Sequence, residues 1–252
     1  MGIFQAIIFG IVQGITEFFP ISSSGHLVIL QALTGLKEPQ LAFDIFLHLG
    51  TLLSILIFFR KDILRLFGKD KRLFLLIVIA SIPTFIIGFL FKDTVERFFA
   101  MPKVVGSMLG LTGAWLILAS LYTKRQPVRK GPGILNSILI GIAQGVAIMP
   151  GISRSGATIA TGILTGLDRE LSFKFSFLLA IPAILGASIL KAHEIGAQLL
   201  TKDVGFFFAG GISAMIIGLA ALNFLFRLIK NNKLYLFGIY CIIAGLIVIM
   251  LM

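Results

Sequence analysis

Two short segments of this 252-residue chain place hydroxyl, carboxylate, imidazole and guanidinium groups within otherwise apolar sequence. The first reads GIVQGITEFFPISSSGH from Gly10 to His26, and the second reads GIAQGVAIMPGISRSGA from Gly141 to Ala157. The two segments align without a gap, but the glutamate and the histidine occur only in the first and the arginine only in the second. We predict two copies of one backbone motif that divide the reactive groups between them.

The carboxylate of the first copy belongs to Glu17, four positions after Gln13. On a helix these two side chains lie on one face, one turn apart. An ionised carboxylate within an apolar segment is costly unless it meets a cation, a proton or water, which makes a functional role the default interpretation. The alternative is a protonated glutamate that bonds to a neighbouring helix.

Hydroxyl groups and an imidazole follow Pro20, at a point where a new helix can start. Free N–H groups at a helix N-terminus attract anions, and phosphate is a common ligand there. A plain serine cap on a helix is the alternative. Three consecutive serines followed by Gly25 and His26 exceed what a cap requires.

The second copy places Arg154 between two serines. An arginine cannot be discharged, and its planar guanidinium matches the spacing of phosphate oxygens. Within a Gly-Ser loop it therefore predicts an anion ligand. Pairing of Arg154 with Glu17 alone is the alternative, and it leaves the serines unexplained. Asp44 and His48, four positions apart, are interpreted as a structural contact and left outside the site.

The composition excludes a water-soluble globule, because 58% of the residues are hydrophobic, 13% are charged and the mean hydropathy is +1.03. Two stretches, 1–36 and 134–167, are interrupted by Pro, Gly and Ser at the motifs. Broken backbone at membrane depth must be covered by protein or line a wet cavity, so we predict two re-entrant helix pairs. Six other apolar runs approach the ~20 residues that cross hydrocarbon: 41–59, 73–91, 104–122, 171–190, 204–226 and 234–252.

The net charge of +11 does not indicate a nucleic-acid partner, because the basic residues fall mostly in short loops between the spans. Loops 60–72, 123–133 and 227–233 carry thirteen Lys and Arg residues and are predicted to face the cytoplasm. Loops 92–103 and 191–203 carry five and are predicted to lie outside.

Three spans follow each broken segment, so the second half begins on the side opposite the first. The predicted fold is an all-α polytopic membrane protein with an inverted-topology repeat, six transmembrane helices and two re-entrant helix pairs. The repeats are predicted at residues 1–122 and 134–252 within a single membrane domain. The two broken segments then enter from opposite faces and meet near the middle of the membrane.

The two motifs resemble the paired signatures of the undecaprenyl pyrophosphate phosphatase family, also called bacitracin-resistance proteins. The matching segments are Q-x-x-x-E at Gln13 to Glu17, the FPISSSGH that follows, and PGISRSGAT from Pro150 to Thr158. The resemblance covers the whole chain, because the length, the number of spans and the order of the motifs agree.

This resemblance implies an integral enzyme of the bacterial inner membrane that hydrolyses undecaprenyl diphosphate to undecaprenyl phosphate and phosphate. Such an enzyme recycles the carrier lipid of cell-wall synthesis and confers resistance to bacitracin. The resemblance also implies a divalent cation, Mg²⁺ or Ca²⁺, and a site open to the extracytoplasmic side. The expected partners are the lipid substrate and membrane lipids, without nucleic acid, and a homodimer is one open assembly.

Carried over position by position, the family's signatures assign metal binding to Gln13 and Glu17. Many members have a second glutamate at the Gln13 position, so a two-carboxylate metal site is in doubt here. The predicted catalytic residues are Glu17, Ser23, His26 and Arg154. The predicted substrate-binding residues are Ser22, Gly25, Ser153, Ser155, Gly156 and Thr158.

Two questions stay open at the level of sequence. The nucleophile is Ser23 with His26 as its base, His26 itself, or a water that His26 activates. The competing function is a flippase or transporter of a phosphorylated polyprenyl lipid, because inverted repeats with broken helices are the usual build of secondary carriers.

Overall fold

The structure is a computed structural model that describes residues 2–34, 41–99, 101–122, 131–195 and 204–251. Within these ranges the chain folds into α-helices joined by turns, which confirms the predicted all-α class. The helices are α1 (Ile3–Thr16), α2 (Ser23–Leu33), α3 (Leu41–Phe58), α4 (Arg60–Leu66), α5 (Lys71–Leu90), α6 (Lys92–Phe99), α7 (Pro102–Tyr122), α8 (Ile134–Val146), α9 (Arg154–Leu164), α10 (Arg169–Ile195), α11 (Val204–Lys230) and α12 (Leu234–Leu251).

Six elements correspond to the six predicted spans. Among the described residues, α5, α7, α10, α11 and α12 are each long and apolar enough to cross a bilayer. The sixth is α3, which passes the same test together with α4, from which it is bent by 76°. Because about 20 apolar residues cross the hydrocarbon, these six elements make the chain a polytopic membrane protein.

The structure differs from the predicted spans mainly at their ends. Helix α10 begins at Arg169 and ends at Ile195, and α11 continues to Lys230, past the predicted ends. Charged side chains can extend their apolar stems along a helix into the interfacial zone, so a helix need not stop where hydropathy falls. Two short helices, α4 and α6, lie within segments that were predicted to be loops.

The two broken segments have the predicted re-entrant form. Their helices have 14 and 11 residues in the first copy and 13 and 11 in the second. At 1.5 Å per residue none reaches the roughly 30 Å of a hydrocarbon core. The first break contains Pro20, which cannot donate a backbone hydrogen bond, and the second contains Gly151 with a φ of 93°. The helices before these residues end at Thr16 and Val146.

The broken segments pack crosswise between the two halves of the chain. Helix α1 packs against α11, and its counterpart α8 packs against α5. At Gly14 an added Cβ would lie 2.8 Å from the carbonyl oxygen of Ala214, so only glycine permits this approach. Gly14 therefore serves close helix packing. The repeat boundaries at 122 and 134 stay a prediction.

Charged residues join three helices at one end of the bundle. Asp62 of α4 lies 2.5 Å from Lys174 of α10, and Glu170 of α10 lies 3.1 Å from Lys230 of α11. The predicted cytoplasmic loops 60–72 and 227–233 thus lie at the same end. The four basic residues predicted in loop 123–133 and Lys202 fall outside the described residues.

Candidate active site

The two broken segments meet at the carboxylate of Glu17, directly after the end of α1. Its Oε1 lies 2.5 Å from Nη2 of Arg154, the first residue of α9. Its Oε2 accepts a hydrogen bond of 2.7 Å from the hydroxyl of Ser23, the first residue of α2. The Glu17 side chain is only 8% exposed, so the ion pair with Arg154 offsets part of the cost of burying its charge. Both copies of the motif therefore contribute to one site.

Arg154 retains an unpaired N–H group in this site. Nη2 bonds to Glu17, whereas Nη1 is buried and has no hydrogen-bond partner. The Arg154 Cζ lies 5.9 Å from the centroid of the Phe177 ring, a contact that helps to orient the guanidinium plane. Leaving a buried donor unpaired costs free energy, which the oxygen of a bound anion would recover. Pairing with Glu17 alone thus does not satisfy this arginine.

Gln13 places a buried amide oxygen close to the Glu17 carboxylate. Its Nε2 donates a hydrogen bond of 3.2 Å to Glu17 Oε2, while its own Oε1 is buried without a partner. Carbonyl and carboxylate oxygens are the ligands that Mg²⁺ and Ca²⁺ prefer, and Mg²⁺ usually combines one or two carboxylates with phosphate oxygens and water. The described residues contain no group of three His, Cys, Asp or Glu side chains that could hold a metal by themselves. The residues present therefore fit a cation that is shared with a phosphorylated ligand.

His48 belongs to this site, although the sequence interpretation left it out. Its Nδ1 lies 2.7 Å from the backbone oxygen of Asp44, and its Nε2 lies 3.9 Å from Glu17 Oε2. The His48 side chain is 31% exposed, compared with 16% for Arg154 and 8% for Glu17. The contact between the two residues is therefore made by the Asp44 backbone and not by its carboxylate. A histidine in an otherwise apolar span was the signal for its role.

The loop before α2 holds His26 in a defined orientation. Ser22 has a φ of 68°, a left-handed conformation that is uncommon for residues other than glycine. Its backbone oxygen lies 2.8 Å from His26 Nδ1, and its hydroxyl lies 3.3 Å from that of Ser24. Gly25 is buried beside Ser22, where an added Cβ would meet only ordinary van der Waals contacts.

His26 and Ser23 do not form the pair that their spacing suggested. The Ser23 hydroxyl donates to Glu17, and His26 Nε2 lies 2.6 Å from the hydroxyl of Tyr240 on α12. In this arrangement Glu17, not His26, is the hydrogen-bond acceptor of Ser23. Tyr240 is a contact that sequence reasoning missed, because 214 positions separate it from His26 and no motif marks it.

The second loop is buried and bonded within the protein. Ser153 caps α9 by accepting a hydrogen bond of 3.1 Å from the backbone N–H of Gly156, and its own N–H donates to Thr112 Oγ1. The Ser155 hydroxyl lies 3.2 Å from that of Ser153, and Thr158 bonds to Ser176 on α10. These residues position Arg154, and their predicted contact with substrate stays a prediction.

Comparison with known proteins assigns the family. Residues 6–247 match the model of the family described as bacitracin resistance protein BacA. The chain belongs to the bacitracin resistance protein BacA family. This result confirms the resemblance that the two motifs indicated.

Several BacA relatives align with the chain from end to end. An undecaprenyl-diphosphatase from Carboxydothermus hydrogenoformans is 45% identical over 100% of this chain and 98% of its own length. Proteins of the same name from Halothermothrix orenii and Methanosphaera stadtmanae are 42% and 41% identical, each over 100% of this chain and 98% of their own length.

An apolar groove borders His26 of this BacA-family chain. It has a volume of about 560 Å³ and lies between the end of α1, α11 and α12. His26 and Tyr240 line one part of it, and its other walls include Phe19, Phe224 and Phe237. Such a wall is suited to a hydrocarbon chain. The segment that carries His26 thus borders an apolar surface.

Proposed function

We propose that this chain is an integral membrane diphosphatase that hydrolyses undecaprenyl diphosphate to undecaprenyl phosphate and phosphate. The observation that carries the proposal is the Glu17 carboxylate, which holds a serine hydroxyl from one motif and an arginine from the other. The names of the aligned BacA relatives agree with it. By this activity the chain recycles the carrier lipid of bacterial cell-wall synthesis and confers resistance to bacitracin.

In the proposed reaction, Ser23 is the nucleophile and Glu17 its base. As the Ser23 oxygen bonds to the terminal phosphorus, its proton passes to Glu17 Oε2, which lies 2.7 Å away. The bond between that phosphorus and the bridging oxygen breaks, and undecaprenyl phosphate leaves. Water then hydrolyses the phosphoserine, which releases phosphate and restores the Ser23 hydroxyl.

Arg154 stabilises the charge that develops in this reaction. Phosphoryl transfer passes through a loose transition state with charge spread over the phosphoryl oxygens, so positioning and electrostatics supply most of the catalysis. The unpaired Nη1 is a donor available to those oxygens, and the Phe177 ring helps to orient it. Donors fixed before the reaction need no reorganisation when the charge forms.

The proposal includes a divalent cation, Mg²⁺ or Ca²⁺. Gln13 Oε1 and Glu17 would hold it, together with oxygens of the diphosphate, and it would neutralise part of the phosphate charge. The unsatisfied Gln13 Oε1 supports this assignment. Ser22, Gly25 and the buried serines of the second loop shape the space around the phosphate.

We also propose that the protein lies in the cytoplasmic membrane with its phosphate site open to the extracytoplasmic side. His48, the accessible group, lies closer to the Leu41 end of α3 than to Phe58. The Phe58 end adjoins the basic loop 60–72, which the positive-inside rule places in the cytoplasm. A cysteine introduced at Lys69 in a Cys241→Ser background should be labelled from the cytoplasmic side, and labelling from outside would contradict this orientation. Crosslinking in native membranes tests the homodimer that the sequence left open.

The direct test of function is phosphate release from a long-chain prenyl diphosphate by purified protein in detergent. We expect release by the wild type, loss in Glu17→Gln, loss after EDTA treatment and recovery with Mg²⁺. Acid-quenched enzyme should carry phosphate on Ser23, which mass spectrometry of peptides would detect. No release by well-folded wild type would contradict the proposal and favour a transporter of phosphorylated polyprenyl lipids.

A further inference from the structure

The His26 ring is held by hydrogen bonds at both of its nitrogens. Nδ1 lies 2.8 Å from the backbone oxygen of Ser22, and Nε2 lies 2.6 Å from the hydroxyl of Tyr240. A carbonyl oxygen only accepts hydrogen bonds, so Nδ1 carries a proton. In the neutral ring Nε2 is therefore the acceptor, and the Tyr240 hydroxyl donates to it. These two contacts select one tautomer and one ring orientation.

Tyr240 reaches His26 from the last helix of the chain. The two rings are nearly parallel, with an interplanar angle of 16° and centroids 5.9 Å apart. Tyr240 is 44% exposed on the wall of the apolar groove. A phenol beside hydrocarbon needs a hydrogen-bond partner, and His26 supplies one. Because a phenol both donates and accepts, it can stay bonded to His26 whether Nε2 is bare or protonated.

We propose that Tyr240 is a positioning residue of the diphosphatase reaction, acting through His26. Nδ1 is committed to Ser22, so Nε2 is the ring atom that can accept a proton. Tyr240 keeps this atom in its acceptor form and fixes the plane of the ring. A water that displaces the phenol can then donate a hydrogen bond to this oriented nitrogen. This inference rests on the proposed function, and it adds a residue outside both motifs to the site.

A kinetic comparison of two tyrosine variants tests the inference. Tyr240→Phe keeps the ring and the groove wall but removes the hydroxyl. We expect kcat for a long-chain prenyl diphosphate to fall by about five- to tenfold, the effect of one lost hydrogen bond, with KM changed by less than about twofold. Tyr235→Phe on the same helix is the matched control, since Tyr235 is similarly exposed at 42%, and its kcat should equal that of the wild type.

A spectroscopic measurement tests the contact independently of activity. In ¹⁵N-histidine-labelled protein, with resonances assigned through His26→Gln, the Nε2 signal of His26 should shift in Tyr240→Phe toward that of a nitrogen without a hydrogen bond. It should not move in Tyr235→Phe. An unchanged kcat, a rise in KM alone, or an unmoved Nε2 signal in Tyr240→Phe would overturn the inference. An inactive wild type would instead refute the proposed function and leave the spectroscopic test in place.

Discussion

The two copies of the motif share a sequence pattern but differ in backbone conformation at one position. Ser22 of the first copy has a φ of 68°, whereas its equivalent in the second, Ser153, has a φ of −77°. Both pair with the serine two positions later, at 3.3 Å in the first copy and 3.2 Å in the second. The second copy is an ordinary capped helix start. The first holds a left-handed residue of the kind that costs about 1–3 kcal/mol and is often found at functional sites.

This difference shows how a duplicated element divides its roles. In the second copy, hydrogen bonds to Thr112 and Ser176 hold the loop, and the single reactive group is Arg154. In the first copy, the left-handed turn points a backbone carbonyl at His26 and leaves the neighbouring hydroxyl free for Glu17. The second copy thus contributes one reactive group on a hydrogen-bonded loop, and the first copy contributes the others.

The residues that meet at Glu17 occupy equivalent positions. Ser23 and Arg154 align with each other in the ungapped comparison of the copies. Each is the first residue of its helix, and each bonds to a different oxygen of the same carboxylate. The same motif position therefore reaches Glu17 from both copies. It supplies a hydroxyl in the first copy and a cation in the second.

The largest expected effect comes from removing the cation that the second copy supplies. In Arg154→Ala the buried Glu17 carboxylate loses its ion pair and the phosphate loses its donor, so phosphate release should fall by roughly 10²- to 10³-fold. Arg227→Ala, an exposed arginine near the end of α11, is the control and should keep its activity. Retention of more than roughly a third of wild-type kcat by folded Arg154→Ala would mean that the second copy has no catalytic part.

Equivalent glutamines should respond in opposite ways to an added carboxylate. Gln13→Glu gives the site a second carboxylate beside Glu17, so the Mg²⁺ concentration for half-maximal activity should fall by about tenfold. Gln144, the equivalent residue of the second copy, is 2% exposed and lies near Thr84 and the Leu179 carbonyl. Gln144→Glu should therefore lower the thermal stability without improving Mg²⁺ use, because a buried carboxylate there meets no cation. Equal Mg²⁺ titrations for Gln13→Glu and the wild type would argue against a cation at Gln13.

His48 lies on α3, outside both motifs. In His48→Gln, Glu17 loses a basic neighbour at 3.9 Å but keeps its ion pair with Arg154. We expect kcat to fall by roughly three- to tenfold, the loss of one modest polar interaction. His193→Gln, at an exposed position near the end of α10, should match the wild type. Equal kcat values for the two variants would exclude His48 from the site.

The smallest expected effect is a difference in folding stability between variants of Ser153 and Ser22. Ser153→Ala removes a helix cap and should lower the free energy of unfolding by about 1 kcal/mol. Ser22→Gly removes a side chain from a left-handed residue and should leave stability unchanged or raise it by up to about 1 kcal/mol. Thermal unfolding in detergent measures both. Equal destabilisation of the two variants would contradict a conformational cost at the left-handed Ser22.

Much of this architecture could be predicted from the sequence. Hydropathy located the six spans, and Pro20 and the Gly-Ser loops marked the breaks, because the lipid environment tolerates few other solutions. Symmetry then placed Glu17, Ser23 and Arg154 together. These conclusions follow from composition and repetition, which are local or periodic properties of the chain.

The remaining features depend on tertiary structure. The Tyr240 hydroxyl and the His48 imidazole reach the site from helices outside the motifs, and no spacing in the sequence encodes those contacts. Ser22 adopts a left-handed conformation, and the next residue, Ser23, bonds to Glu17 and not to His26. A serine in that conformation cannot be distinguished by sequence from the capping serine at position 153.

The most direct test of the account is a double-mutant cycle across the two copies. Phosphate release would be measured for Ser23→Ala, Arg154→Ala and the double variant, with each protein checked for wild-type unfolding behaviour. If both residues act as one unit on Glu17, the double variant should be little slower than the slower single variant. Losses that multiply in the double variant would contradict a single site built from both motifs.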